Sequence, residues 1–372
     1  MHPELSGKEF DTARFVADRL VELGLDVTTN VGQPLPGVVA LLRGSSGGKT
    51  VALRADMDAL AVTEQNDVPY RSRVEGAMHA CGHDAHTAIL LGAAEVLSRY
   101  KGELSGNVKF IFEPSEEYVG GALPMIRAGV LSDPEVNAVF ALHVDPSYRV
   151  GEIGISYGET LAASDRLIIR IKGKSAHGAT PHLAVDSVVV AAHAIIALQS
   201  VISREKDPLS PAVLSFGVFQ GGNQPNSIAD EVLIRGILRT LNPNVREDLI
   251  RKIEQVLKGI TESFGASYEF TREKSYDTLI NDDRMVDFLK RVAIQVIGTQ
   301  GVKLLERPRL IVEDFAYFLQ KVPGAFFFLG CGNPEKGLNH PLHSSRFDID
   351  EGCLPLGVAL EVALAMTYLK EG

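Results

Sequence analysis

The sequence predicts an α/β fold into which a second, ferredoxin-like unit is inserted, and three observations lead to this prediction. The chain has 372 residues, more than one hydrophobic core usually serves. Helix and strand patterns alternate over residues 1–150, as in a sheet covered by helices. Between residues 165 and 280 the order changes to β-α-β-β-α-β, and the alternation then resumes.

The first part of the chain combines amphipathic helix patterns with short apolar strands. Residues 8–24 place Phe10, Val16 and Leu20 near the 3.6-residue period of a helix with one buried face. Apolar runs without alternation predict buried strands, and a run rich in alanine and leucine predicts a second helix. The predicted strands are 37–42, 50–55, 107–112 and 138–144, and the second helix is 84–100.

The middle part of the chain has the element order of a split βαβ unit. Strands are predicted at 166–172, 212–220, 231–240 and 267–272, and helices at 184–204 and 242–265. Such a unit closes its own sheet, so we expect an inserted domain of residues 165–276. The α/β domain is then discontinuous, with residues 1–164 and 277–372. Its second part is predicted to hold helices at 282–298, 314–320 and 353–369, with strands near 302 and at 324–329.

Composition excludes several classes of partner. The formal net charge is -10 and no cluster of Lys or Arg is present, which argues against a nucleic-acid partner. No apolar run approaches the roughly 20 residues of a membrane helix. Three cysteines cannot form a disulfide framework, and the N-terminus lacks the pattern of a secretory signal. A reducing cytoplasm is the expected location.

Residues 78–86 form the first cluster of reactive side chains, with the sequence MHACGHDAH. Three histidines, one cysteine and one aspartate within nine residues are ligand types that zinc and neighbouring metals accept. The cluster directly precedes a predicted helix, where Gly82 would let the backbone approach closely. A set of helix-cap and surface histidines is the competing interpretation.

The second cluster is Glu113-Pro114-Ser115-Glu116-Glu117, directly after a predicted strand. Adjacent carboxylates repel each other unless cations hold them, and a metal ion removes that cost. One carboxylate could then bind metal while its neighbour faces substrate. A solvated acidic turn is the alternative, but α/β sheets bind their ligands at the ends of strands, which favours a site.

Further polar groups follow other strands. Asp56 and Asp58 follow the run VALRA, His143 ends the run AVFALH, and His343 follows the strand FFFL. Several acids and imidazoles at one sheet edge predict a metal site. Asp58 could accept a hydrogen bond from a ligand histidine and fix its tautomer.

Together these strings resemble the M20 metallopeptidase superfamily. The resemblance lies in LRADMDAL, MHACGHDAHTAILLGAA, EPSEE, the Leu-His pair at 142–143, and EDF…VPG…LG…LNHPLHSSRF. It extends from about residue 10 to the C-terminus and is greatest to the amidohydrolase branch of aminoacylases, hippurate hydrolases, auxin-conjugate hydrolases and N-acetyldiaminopimelate deacetylases. It implies an α/β metallopeptidase domain with an inserted lid and dimerisation domain.

The resemblance also implies a cofactor and a ligand set. The expected cofactor is a pair of divalent ions per subunit, of zinc, manganese, cobalt or nickel. Cys81 would bridge both ions, His83 and His143 would hold one, and Glu117 and His343 would hold the other. Glu116 matches the family's general base, and Asp58 matches the residue that orients the site.

In the inserted domain, the resemblance assigns substrate contacts. His177 matches the histidine of the lid motif, which often reaches the active site of a partner subunit, so a homodimer or higher homo-oligomer is expected. Asn226 and Arg239 fall where family members bind the substrate's carboxylate or carbonyl, and a planar guanidinium suits a carboxylate. Ala61 and Ala229 replace family prolines, and Glu113 and Ser115 replace a frequent Gln and Ala. These departures remove none of the expected ligands.

The expected activity is therefore hydrolysis of the amide bond of N-acyl-amino acids, with release of a free amino acid and a carboxylic acid. A carboxypeptidase or dipeptidase of the same superfamily, or an N-acetyldiaminopimelate deacetylase, is the alternative within this class. A cysteine hydrolase with Cys81 as nucleophile and His79 or His83 as base is an alternative of another class. A non-catalytic binder of small ligands is a further one.

Overall fold

The structure, a computed structural model, describes residues 1–371 and contains two compact units. Unit 1 comprises Met1–Gly158, Ile280–Arg307 and the chain from Asp314 onward, and unit 2 comprises Glu159–Leu279 with Pro308–Glu313. Both units mix helices with sheets, so the predicted α/β class is confirmed.

The N-terminal part of unit 1 holds three helices and six strands. They are α1 (Phe10–Glu22), β1 (Asp26–Val31), β2 (Gly37–Arg43), β3 (Thr50–Asp56), α2 (His83–Arg99), β4 (Asn107–Glu113), α3 (Ala122–Arg127), β5 (Ala138–Arg149) and β6 (Ile153–Ile155). β1, β6 and α3 were not predicted. β1 is largely exposed and has no apolar run, because it lies at the sheet edge and pairs only with β2.

Unit 2 has the order β-α-β-β-α-β at its centre. Its elements are β7 (Gly158–Leu161), β8 (Ala163–Lys172), α4 (Ser187–Ser200), β9 (Ala212–Gly221), β10 (Glu231–Thr240), α5 (Pro243–Ser263), β11 (Ser267–Lys274) and β12 (Leu279–Asn281), of which β7 and β12 carry the chain into and out of the unit. Four antiparallel strands form one sheet in the order β11-β8-β10-β9. Asp186 and Asn242 cap α4 and α5 through their side chains. α4 is shorter than predicted, because a π-helical turn replaces it over Val201–Glu205.

The C-terminal part of unit 1 completes the large sheet. It contains α6 (Asp283–Ile297), β13 (Val302–Leu304), α7 (Ala316–Leu319), β14 (Gly324–Gly332) and α8 (Cys353–Glu371). Asp282 caps α6 by accepting hydrogen bonds from two backbone N–H groups. The helix predicted over 314–320 is reduced to the four residues of α7.

The large sheet has eight strands in the order β1-β2-β4-β3-β5-β14-β6-β13. Its central strands β4, β3, β5 and β14 are parallel, so their carboxyl ends share one edge. At that edge α/β sheets bind their ligands. Asp56 at the end of β3 and Glu113 at the end of β4 lie at this edge. His143 lies near the same edge, shortly before the end of the buried part of β5.

Two helical stretches, Ser187–Glu205 and Cys353–Glu371, are long and apolar enough to cross a membrane by length and composition alone. Each contributes to a protein core instead. Leu198 packs in the core of unit 2, and Leu360 and Leu364 pack in the core of unit 1. Buried core helices have the same composition as membrane helices.

Candidate metal centre

The loop before α2 lies against β5 because of one glycine. Gly82 has φ +81°, and a Cβ placed there would be 2.4 Å from a methyl group of Val144. Only glycine allows both this left-handed backbone and this close approach. Cys81 and His83 flank Gly82, so both are held beside His143 on β5.

Cys81, His83 and His143 form one set of converging ligand atoms, all within 4.8 Å of one another. The Cys81 Sγ lies 3.4 Å from His143 Nε2. His143 Nδ1–H donates to the Val144 carbonyl at 2.8 Å, and His83 Nδ1–H donates to Asp58 Oδ1 at 3.0 Å. Because Nδ1 of each ring is the donor, Nε2 is the ring nitrogen of both histidines that can bind a cation.

Cys81, Glu117 and His343 form a second set, again with ligand atoms within 4.8 Å. His343 Nε2 lies 3.1 Å from Glu117 Oε1. The His343 backbone N–H donates to the Ala80 carbonyl at 2.7 Å, which holds its left-handed residue (φ +66°) beside Cys81. The two sets share the sulfur of Cys81, and the five residues predicted as ligands are brought together.

The chemistry of the cluster fits a cation. His83 Nε2 is buried and has no hydrogen-bond partner among residues 1–371. The carboxylate oxygens of Asp56 and Glu117 lie 3.7 and 3.9 Å from it, which is too far for a hydrogen bond. A buried nitrogen that faces carboxylates at this spacing would be satisfied by a shared metal ion.

Negative charge dominates the cluster. Burial disfavours a charged His83 ring, but the carboxylates of Asp56, Asp58 and Glu117 outweigh burial and raise its pKa to about 10. Burial, together with Glu117 and Glu116, raises the pKa of the Cys81 thiol well above its usual range. A thiol in this state is a poor nucleophile, which disfavours the cysteine-hydrolase alternative.

Glu116 and Glu117 are oriented by one carboxylate. Asp58 Oδ1 accepts the N–H of Glu116 at 3.2 Å, and its Oδ2 accepts the N–H of Glu117 at 3.0 Å. The carboxylate of Glu116 is buried, and its ligand atom lies within 4.8 Å of those of His83 and Glu117. Asp58 thus fixes one ligand histidine and the backbone of both glutamates.

His86 also belongs to the cluster, but it has a different role from the ligand histidines. Its Nε2 accepts the N–H of Val144 at 2.9 Å, so its Nδ1–H donates to Asp56. Because both ring nitrogens are used, His86 offers no lone pair to a metal. It holds the backbone next to His143 in place.

A buried arginine behind the cluster was not predicted from the sequence. Arg54 is 1 % exposed and donates to Asp56 at 2.7 Å, Glu113 at 2.7 Å and Asp314 at 3.1 Å. Asp314 in turn accepts the N–H of Ala122 at 3.0 Å. The signal that could have identified it is a charged residue within the apolar run VALRAD, since lone charges are rarely buried unless paired.

The three predicted substrate-binding residues lie in unit 2. His177 and Asn226 are exposed loop residues that are held together, because the N–H of Gly178 donates to the Asn226 carbonyl at 2.8 Å. Arg239 lies apart from them on β10 and is half-buried. Its Nη1 has no hydrogen-bond partner in the described part of the chain.

Thiol, imidazole and carboxylate groups arranged around one shared sulfur are the ligands of a metal centre, and metal-dependent hydrolases use such centres to activate water. The chain belongs to Peptidase family M20/M25/M40, which matches residues 52–367. The predicted superfamily is therefore confirmed, and the chain is a hydrolase.

Named relatives extend over nearly the whole chain. Thermostable carboxypeptidase 1 of Saccharolobus solfataricus is 40% identical over 373 residues, which cover 99% of this chain and 92% of the relative. IAA-amino acid hydrolase ILR1-like 4 of Arabidopsis thaliana is 36% identical, and the alignment covers 100% of this chain and 84% of the relative. The crystal structure of Bacillus subtilis YXEP is described as that of a dinuclear metal binding peptidase from the M20 family. It matches this chain with a TM-score of 0.85 and 33% sequence identity, and the match covers 99% of this chain and 95% of YXEP.

Proposed function

We propose that this chain hydrolyses the amide bond of N-acyl-amino acids with two divalent ions and with Glu116 as general base. The observation that carries the proposal is the pair of ligand sets that share Cys81, with the buried Glu116 carboxylate beside them. A non-catalytic binder would have no need of a buried carboxylate placed in this way.

Five residues would hold the ions. Cys81, His83 and His143 would hold one ion, and Cys81, Glu117 and His343 the other. When bound, such ions lower the pKa of water toward neutrality and polarise a carbonyl group. The donor set accepts zinc, manganese, cobalt or nickel, because thiolate, imidazole and carboxylate together do not select one of them.

The protein's own groups would move the proton. Glu116 would accept a proton from the attacking water and pass it to the departing amine, as base and then as acid. Asp58 supports this role because it holds the N–H groups of Glu116 and Glu117. The backbone that carries Glu116 is thereby held in place, so the base would keep its position as it gains and loses a proton.

Recognition of the amino-acid part would fall to unit 2. Arg239 has a buried Nη1 without a hydrogen-bond partner among the described residues 1–371, and a guanidinium binds a carboxylate through two parallel hydrogen bonds. We propose that Arg239 binds the substrate carboxylate, that Asn226 binds the carboxylate or carbonyl, and that His177 stabilises the oxyanion of the tetrahedral intermediate. The hydrolase of IAA-amino acids among the relatives favours an N-acyl substrate.

Glu116→Gln tests the base. We expect kcat to fall by about 1000-fold, within the range for loss of a general base, while the bound metal measured by plasma emission stays at the wild-type level. Glu95→Gln is the control, since Glu95 pairs with Arg99 on the solvent side of α2. A Glu116→Gln enzyme that kept substantial activity would show that the base is wrongly assigned.

A substrate panel tests the reaction. N-acetyl-amino acids, N-benzoyl-amino acids, N-acetyldiaminopimelate and dipeptides would be compared on metal-reconstituted enzyme. The carboxypeptidase among the relatives makes preference for a peptide the main competing outcome. Inactivation by a chelator with rescue by Mn²⁺, Co²⁺ or Zn²⁺ would exclude the cysteine hydrolase, whereas thiol alkylation without any chelator effect would support it.

We also propose that the enzyme is cytoplasmic and forms a homodimer or higher homo-oligomer through its inserted domain, residues 165–276. Cys81, Cys331 and Cys353 are all buried free thiols, as in a reducing compartment. Sedimentation of the active enzyme tests the oligomer. A fully active monomer would exclude His177 as a residue that acts in a partner subunit.

A further inference from the structure

The turn that carries Glu116 and Glu117 is held by two carboxylates. Three consecutive N–H groups, those of Ser115, Glu116 and Glu117, point to carboxylate oxygens. Asp58 accepts the last two. The first goes to Glu9, which lies before α1 and 106 positions away in the sequence.

This turn requires such support because its backbone is unfavourable. Ser115 is fully buried and has φ +62°, a left-handed conformation in which a Cβ is crowded. Residues in this region keep their conformation only when the surroundings fix them. A small rotation at Ser115 would move both following glutamates.

The position of Glu9 is energetically unfavourable for a carboxyl group. Its side chain is fully buried, and its Oε1 accepts N–H groups from Gly7 at 2.7 Å and Ser115 at 3.0 Å. Its Oε2 has no hydrogen-bond partner in residues 1–371. Burial and the charge of Asp58 raise the pKa of Glu9 to about 7. Burial of a carboxyl group that is only partly hydrogen-bonded costs free energy. Its presence here indicates that the fold requires Oε1 as a hydrogen-bond acceptor.

The rest of the N-terminal segment contacts the other carboxylate. Ser6 Oγ donates to Asp58 Oδ2 at 2.6 Å, and the N–H of Ala59 donates to the Glu4 carbonyl at 2.8 Å. The segment that carries Glu9 is therefore fixed to the same groups that orient the two glutamates.

We propose that Glu9 is a positioning residue, which fixes the turn of Glu116 and Glu117 by accepting the backbone N–H of Ser115. The Glu9 carboxylate accepts backbone N–H groups of Gly7 and Ser115, so it acts on the turn through the backbone. The inference rests on the proposed function, since it assumes that this turn carries the base and a ligand.

The test compares Glu9→Ala with Glu9→Gln in the metal-loaded enzyme. Glu9→Ala should lower kcat about 10- to 100-fold, as small misplacements of catalytic groups do, with KM within about threefold of wild type. The Co²⁺ concentration for half-maximal binding should rise about 10-fold, because Glu117 moves with the turn. Glu9→Gln should restore both within about threefold, since an amide oxygen accepts the same N–H groups.

Glu4→Ala is the matched control in the same segment. The Glu4 carboxylate accepts N–H groups of Asp11 and Thr12 and does not contact Ser115. This variant should unfold at a lower temperature while kcat and Co²⁺ affinity stay within about twofold of wild type. A loss of kcat in Glu4→Ala equal to that in Glu9→Ala would mean that only the stability of the segment matters, and would overturn the proposal.

Two further outcomes would overturn it: a folded Glu9→Ala enzyme with wild-type kcat, or a Glu9→Gln enzyme as impaired as Glu9→Ala. If Glu9→Ala does not fold, Glu9→Asp replaces it, since its carboxylate is shorter by one methylene group. A lower kcat than that of Glu9→Gln then supports the proposal, and wild-type kcat overturns it. An active Glu116→Gln enzyme would instead refute the proposed function, so the two failures are distinguishable.

Discussion

The candidate metal centre in unit 1 and the candidate substrate residues in unit 2 differ in how firmly they are held. Asp58, His83 and His143 are buried and hydrogen-bonded to neighbouring groups. His177 and Asn226 are exposed on loops, and the Nη1 of Arg239 has no hydrogen-bond partner within the part of the chain that the structure describes. Under the proposed function, the catalytic groups of unit 1 would be preorganised, whereas the contacts of unit 2 with the substrate would form only when it binds. Relatives named for different substrates are consistent with this division.

Removal of the shared sulfur should have the largest effect. Cys81→Ala takes a ligand from both sets, so we expect kcat/KM to fall by about 1000-fold or more, since bound metal supplies several kcal/mol of stabilisation in such reactions. Metal content, measured by plasma emission after dialysis, should fall as well. Cys331→Ala is the control, because it removes a buried thiol from β14 without touching a ligand. Equal metal content in both variants would refute the bridging role.

Substitution of the buried Arg54 tests whether ion pairs beyond the candidate ligands also stabilise unit 1. Arg54→Met leaves Asp56, Glu113 and Asp314 without their shared cation, and we expect the free energy of unfolding to fall by about 3–5 kcal/mol. Urea unfolding measures this quantity. Arg251→Met, which breaks an exposed pair with Asp248, should change it by less than about 1 kcal/mol. Equal effects of the two variants would contradict the comparison.

Glu9 makes unit 1 sensitive to pH. Its pKa is raised from 4.5 to about 7, so the unfolded chain ionises first as pH rises and the folded state loses stability between these values. The loss amounts to about 3 kcal/mol and is complete above pH 7. Glu9→Gln cannot ionise, so its unfolding free energy relative to wild type should rise across this range. Urea unfolding of chelated enzyme at several pH values measures the difference, and a constant difference would contradict the prediction.

Substitution of Arg239 should have the smallest effect, and this effect should be on KM rather than on metal content or stability. Arg239→Ala would remove the proposed hydrogen bonds to the substrate carboxylate, and we expect KM to rise about 10- to 100-fold, with metal content and unfolding free energy near wild type. Arg170→Ala on the neighbouring strand is the control, since Arg170 pairs with Glu231. Steady-state kinetics on the preferred substrate measure KM and kcat of both variants. A large loss of kcat without a change in KM would assign Arg239 to the chemistry instead.

Much of this protein follows from local sequence. Apolar runs without alternation predict β2, β3 and β4, and a run rich in alanine and leucine predicts α2, each within about two residues. The strands can be read from such runs because nearly all of their residues are buried. Residues 78–86 identify the ligand candidates Cys81 and His83, since these side-chain types at this density are rarely needed for packing. Glu117 lies in an acidic turn, and most of its support as a ligand comes from the order of motifs along the chain. His143 and His343 are single histidines after predicted strands, so most of the support for them as ligands comes from the order of motifs along the chain.

The remaining features depend on contacts between distant segments. β1 and α3 have weak local patterns, and β1 exists because β2 offers it a paired edge. Arg54 looks like one more charged residue until three carboxylates from separate segments surround it. Glu9 carries no local sign that its oxygen accepts the N–H of Ser115.

By itself, the sequence determined the fold class, the family and the side chains that can bind metal, because periodicity and residue chemistry are local properties. Only the tertiary structure decided how these side chains are held. It placed Gly82 against Val144, so that Cys81 and His143 come within 3.4 Å, and it set Asp58 beneath both glutamates. Such positions follow from close packing between segments far apart in the chain, which no local pattern records.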